Sequence, residues 1–172
     1  GILNFNYYNK KLALELQSKI ETDLYKEAIQ TYKYNKENGY PTMVYEVYKD
    51  FNITFNTNDI ISLYTDEYTF TGGAHGNTVR TSQTWTLPQG FMLPLVYFFP
   101  DNPYFILNIL KEINKEISKN PEIYFENSCN LVLNTFNPRN YYLTSTGIVI
   151  YFQQYDIAPY SSCIRTFNIT NF

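Results

Sequence analysis

Tyr68-Thr69-Phe70-Thr71-Gly72-Gly73-Ala74-His75-Gly76 joins two runs of alternating residues and holds three of the chain's seven glycines and its only histidine. Two adjacent glycines, with a third after His75, let the backbone take positive φ and let another segment approach closely. The stretch therefore predicts a tight, non-standard connection between paired strands. Before it, Ile61, Leu63 and Thr65 alternate with their neighbours through to Phe70; after it, Val79, Thr81, Gln83 and Trp85 do the same. Further upstream, Phe51, Ile53 and Phe55 alternate with Asn52, Thr54 and Asn56, and Asn56-Thr57-Asn58-Asp59 reads as a turn. Pro88-Gln89-Gly90 supplies the next turn, so residues 42–87 read as an antiparallel meander.

The flanking segments change period. From about Tyr8 to Tyr34, Leu12, Leu16, Ile20, Leu24, Ala28 and Tyr32 recur every four residues, and Tyr25 and Ile29 widen the stripe. That is a long amphipathic helix, stopped by Asn38-Gly39 and Pro41. Asp101-Asn102-Pro103 reads as a helix start, and Ile106, Leu110, Ile113 and Ile117 mark one face of a second helix over Pro103–Lys119. Glu122–Phe136 is compatible with a short helix or an irregular cover. Tyr141-Tyr142-Leu143 and Ile148–Phe152 flank Ser145-Thr146-Gly147 as a hairpin, and Ile164–Ile169 would close the sheet. The order implies one α+β domain over 1–172: an antiparallel sheet with the N-terminal helix and the second helix packed on it.

At 172 residues and 20.3 kDa the chain suits one domain. Its net charge of −3, with no basic run, disfavours nucleic acid and anionic lipid as partners. No apolar run reaches the ~20 residues of a membrane span, so this segment is not expected to insert. Eighteen Tyr and thirteen Phe must fill a core and also reach the surface.

One histidine, two dispersed cysteines and scattered carboxylates do not make a metal set, and neither metal nor cofactor is expected. His75 reads either as a backbone-bonded fixture of the glycine turn or as part of a binding surface. Asp66, Glu67 and Asp156 would suit glycoside hydrolysis only if two converged in space. In Tyr155-Asp156-Ile157-Ala158-Pro159-Tyr160, proline breaks a strand and sets two tyrosines at one bend. That is a structural corner or an exposed aromatic rim.

Thr71–Gly76, the Trp85…Gly90…Leu93…Leu95…Phe98/Phe99 run, and Tyr142–Phe152 continuing into Tyr155–Tyr160 carry a resemblance. Together they resemble the extracytoplasmic domain shared by anti-sigma-V-type lysozyme receptors and the non-catalytic portion of certain peptidoglycan deacetylases. The likeness covers residues 62–170, and residues 1–61 resemble the preceding subdomain more loosely. It implies a non-enzymatic binding module outside the cytoplasm, secreted or anchored through a segment beyond Gly1. The implied partner is a lysozyme-like protein; peptidoglycan fragments, or an unrecognised hydrolase activity, are the alternatives. Tyr68, Gly72, Gly73, His75, Tyr155, Asp156 and Tyr160 are the candidate ligand-binding residues, and the relatives' catalytic domain has no counterpart here. In an exported protein Cys129 and Cys163 are also candidates for a disulfide.

Overall fold

The computed structural model describes residues 1–170; the last two positions of the domain expected over 1–172 lie outside the described residues. The N-terminal helix runs as α1 (Ile2–Lys19), one π-helical turn (Ile20–Leu24) and α2 (Tyr25–Asn38). A four-residue repeat is longer than the 3.6 residues of an α-helical turn, so a straight helix would carry its stripe off the sheet. The wider π turn takes up that drift. The half-buried positions are Phe5, Tyr8 and Asn9 at the start, then Leu12, Leu16, Ile20, Leu24 and Ala28, and finally Thr31 and Asn35. Tyr25, Ile29 and Tyr32, expected on the stripe, face solvent: α2 is α-helical again, so its buried side runs from Ala28 to Thr31 and Asn35.

The meander forms as expected: β1 (Glu46–Asn56), β2 (Ile60–Phe70), β3 (Asn77–Thr86) and a short β4 (Phe91–Met92), in the order β1-β2-β3-β4. One face of this sheet meets the helix. Trp85 packs edge-on against Phe5 and Tyr8 at 5.9 and 5.4 Å, Gln83 exchanges hydrogen bonds with Asn9, and Lys19 approaches Glu67 at 3.8 Å. Asn4 Nδ2 also donates to Gly90 O, pinning the start of the helix to the β3–β4 turn. The simple alternation Phe51, Ile53, Phe55 fails at one point. A bulge between Ile53 and Phe55 sets Ile53 opposite Leu63 but Phe55 opposite Ser62. An extra residue flips the alternation, so Phe55 joins the core while Phe51 and Ile53 stay exposed on the helix side.

A second sheet, β5 (Tyr141–Thr144), β6 (Gly147–Phe152) and β7 (Arg165–Ile169), lies behind the first in the order β5-β6-β7. The single sheet of the sequence reading is thus two. β6 is central and buried on both faces, which is why its sequence is a continuous apolar run. Ile148, Ile150 and Phe152 face α3 (Phe105–Ile117) and α4 (Ser128–Thr135), meeting Ile109, Ile113, Ile117 and Val132 in the main core. Val149 and Tyr151 face the first sheet with Tyr142 and Tyr64. The second helix begins at Phe105 rather than Pro103: Asn102 Oδ1 accepts from Tyr104 N and holds a preceding turn. Glu122–Phe136 resolves into a 3-10 turn (Pro121–Ile123) and α4.

Candidate functional site

The glycine stretch and the tyrosine bend, about eighty positions apart, meet at one end of β3. Gly72 and Gly73 take φ of 110° and 91°, which lets the chain leave β2 and re-enter β3 within six residues. Gly76 answers a different need. A Cβ there would lie 2.4 Å from the Tyr68 ring, so only hydrogen leaves room for that ring. The His75 imidazole stacks on Tyr160, with centroids 3.7 Å apart and planes 17° apart. Its Nδ1 lies 3.0 Å from Gly76 O, the carbonyl to which Tyr160 also donates its hydroxyl hydrogen at 3.0 Å. Tyr155, at φ 66°, sets its ring 5.8 Å from that of Tyr160 and its hydroxyl 3.5 Å from His75 Nε2. His75 and Tyr155 are exposed, the latter at 53%.

Asp156 belongs to the bend but not to the rings. Its Oδ2 accepts from Gln153 N at 2.8 Å and closes the turn; burial raises its pKa, and that hydrogen bond opposes the rise. Seven sequence candidates thus divide into three rings in contact (His75, Tyr155, Tyr160), Tyr68 with its ring against Gly76, two turn glycines and one turn-closing acid.

Side chains that the sequence reading did not single out fasten the bend to the sheet. Gln153 Oε1 accepts from Arg80 N at 2.9 Å, and its Nε2 donates to Arg80 O at 2.7 Å. Gln154 Oε1 accepts from Thr78 N at 2.9 Å. Two amides thus do for the margin of β3 what a neighbouring strand would do. The Arg80 guanidinium turns the other way. It forms a bidentate pair with Asp66 at 2.7 and 2.6 Å and lies 3.8 Å over the Tyr64 ring. Burial works against its charge, and the bond to Asp66 together with its negative charge more than offsets it, so the pKa is raised. Asp66 and Arg80 stand opposite each other in the β2–β3 register; the glutamine bonds come from a loop and leave no periodic signal.

The carboxylates considered for hydrolysis do not converge. Asp66 and Glu67 face opposite sides of the sheet; Asp66 is held by Arg80, Glu67 by Lys19 and Lys49, and Asp156 by Gln153. Among the described residues no group of three or more His, Cys, Asp or Glu side chains is placed to hold a metal ion.

The disulfide is not formed: Cys129 and Cys163 are both free and exposed. Cys129 is fixed in the first turn of α4, while Cys163 sits at φ 56° with its N–H bonded to Tyr160 O, so each follows its own local backbone. Hydrogen bonds make the tie a bridge would have made. Ser162 Oγ donates to Ile123 O, Arg165 Nη2 to Tyr124 Oη, and Phe125 N to Ile157 O.

Residues 2–78 match the family model described as "Deacetylase PdaC", and residues 98–171 match "Protein of unknown function (DUF3298)". No curated protein matches the chain. Among solved structures it is similar to a DUF3298 family protein from Pseudomonas aeruginosa PAO1, at 20% identity and TM-score 0.53 over 73% of this chain and 58% of that one. It is also similar to a DUF3298 member from Bacteroides fragilis NCTC 9343, at 19% identity and TM-score 0.54 over 96% and 64%. The chain therefore spans about six-tenths of the length of these solved relatives, and at such identities the likeness speaks for the fold. Each of the two models covers less than half of the chain; the two matches, in this order and on this fold, support the resemblance to the domain family that PdaC-type and DUF3298 regions share.

Proposed function

We propose that the chain is a non-catalytic binding module of the bacterial cell envelope, lying outside the cytoplasm, and that the cluster of Tyr68, His75, Tyr155 and Tyr160 is its contact surface for a lysozyme-like protein. The observation that carries this reading is the convergence of two distant motifs into one exposed aromatic patch on a rigid base. Tyrosine rings held by backbone bonds offer contact area at little further cost in side-chain entropy. A net charge of −3 would favour encounter with a cationic partner, and lysozymes are generally cationic.

Calorimetric titration with hen lysozyme at low and moderate salt tests the proposal. A saturable, salt-weakened complex is expected, and Tyr155→Ala should weaken it at least ~10-fold, as loss of an aromatic anchor does. Absence of any complex at either salt concentration removes the receptor reading. A second reading is favoured by the same stacked rings, which suit the faces of sugars. Retention on purified cell walls, unaffected by added lysozyme, would support a peptidoglycan-binding accessory module instead.

A further inference from the structure

The opposite end of β3 borders a groove of about 640 Å³ between β3 and β4, the 3-10 turn Leu95–Phe98, α3 and the Pro138–Arg139 corner. Its walls are mainly apolar, and the otherwise unexplained exposed side chains of Met92, Val96 and Ile106 gather around it. Size and lining match the cavities that hold small or extended ligands.

Two features narrow the occupant. The first is charge. Arg139 lines the groove, and all its bonds among the described residues are made by its backbone: N–H to Asn137 Oδ1 at 3.0 Å, and C=O accepting from Ser82 Oγ at 3.2 Å. Its guanidinium has no acidic partner there, in a chain where Arg80 is paired with Asp66. A guanidinium beside apolar walls is matched to a carboxylate that it can hold in a two-pronged bond. The second is the edge of the sheet. Leu93 N donates to Thr84 O, so the two-residue alternation of a strand turns the N–H and C=O of Met92 away from β3. β4 is the outer strand, and these groups have no neighbouring strand to bond. A fatty acid would leave them unused; an extended peptide would bond them and set alternate side chains into the groove.

We propose that this groove binds the C-terminal end of an extended apolar peptide, with its main chain along β4 and its terminal carboxylate on Arg139. The site is at the far end of β3 from the aromatic cluster, so it stands or falls independently of lysozyme recognition.

Trp85, the chain's single tryptophan, reports on the groove. It packs on Tyr8 and donates to Gln83 Oε1 at 2.8 Å, and both residues line the cavity. The 172-residue chain is immobilised and exposed to a pool of N-acetyl hexapeptides of Ala, Val, Leu and Tyr with free C-terminal carboxylates. Retained peptides are then remade as acid and as amide and titrated against Trp85 fluorescence. The expected result is saturable binding of the acid, at least ~10-fold weaker for the amide, with the same loss for the acid on Arg139→Gln and partial recovery on Arg139→Lys. Decanoate forms the comparison arm. No retained peptide, equal affinity of acid and amide, no effect of Arg139→Gln, or tighter binding of decanoate than of any peptide would each overturn the proposal. Melting curves of both variants, expected to overlay the parent's, separate lost recognition from lost folding.

Discussion

Arg80 lies where a carboxylate, two tyrosine rings and the Gln153 side chain meet. Its side chain is only 12% exposed, against 30% for Asp66, so the pair is screened from water but not sealed. Asp66→Asn keeps the shape and removes the charge, leaving the guanidinium beside Tyr64 and Tyr151 without its counter-ion. Breaking a buried pair costs roughly 3–5 kcal/mol; the partial exposure of Asp66 brings the expected loss nearer ~2 kcal/mol, read from the midpoint of urea unfolding. Tyr141 and Tyr151 set the alkaline limit. Burial pushes both hydroxyls from 10.0 up to about 12, against smaller opposing bonds to Thr84 and Ser82 respectively. The unfolded chain loses these protons near pH 10 while the folded chain keeps them, so their contribution is whole below pH 10 and disappears as pH rises through 12. Each is worth on the order of 2 kcal/mol over that window. Tyr141→Phe, which loses the bond to Leu93 O, should flatten the fall in stability between pH 10 and 12 in circular-dichroism melts.

Among the elements, the π turn and the bulge show where periodic patterns stop being readable. The fourfold recurrence of Leu12, Leu16, Ile20, Leu24 and Ala28 was visible in the sequence, and so were the helix and the side it buries as far as Ala28; beyond it Thr31 and Asn35 take the place expected of Tyr32. That the recurrence is too long for an α-helix was visible too, but it does not say which residues absorb the excess. Ile20–Leu24 do so. Inserting one alanine beside the exposed Glu21 adds a second surplus residue that this single turn does not absorb, and should rotate α2 by about 100°. Thr31 and Glu27 would then turn from Tyr45, whose hydroxyl lies 3.1 Å from each. Amide exchange in Tyr25–Asn38 should speed up while β6 is unchanged. Phe55 teaches the same lesson in a strand: its alternation was legible, and the extra residue at Thr54 was not. The glycine stretch was legible as a connection, because positive φ at Gly72 and Gly73 is a local demand. Its meeting with Tyr155 and Tyr160 was not, since a contact across eighty positions leaves no local mark. The free cysteines make the converse point: their presence suggested a bond, and only their placement decides it.

Across the whole molecule, four layers follow one another: N-terminal helix, first sheet, second sheet, and the pair α3 and α4. Their burial is uneven. No residue of Ile2–Asn38 is fully buried, whereas Ile109, Ile113, Ile148 and Ile150 are at most 1% exposed. Regions with little buried apolar surface open at lower free energy than the global transition. The helix should therefore exchange its amides and admit a protease well before the second sheet does, with β5–β7 and α3 forming the last protected unit. Equal protection of the two, measured by hydrogen exchange with mass spectrometry, would refute this ranking. The family match divides the chain in a similar place: the PdaC-type region takes the helix and first strands, and the DUF3298 region takes the core.

Gln153 has one further consequence. The flank of β3 is finished by a carboxamide, a group that water hydrolyses slowly to an acid. An acid in its place would still satisfy the Arg80 amide hydrogen but would set oxygen against the Arg80 carbonyl, where a hydrogen is needed. Of the bonds that hold this seam between loop and sheet, the one made by the carboxamide nitrogen would be lost, and the tyrosine bend would rest on Gln154 and the remaining Gln153 bond.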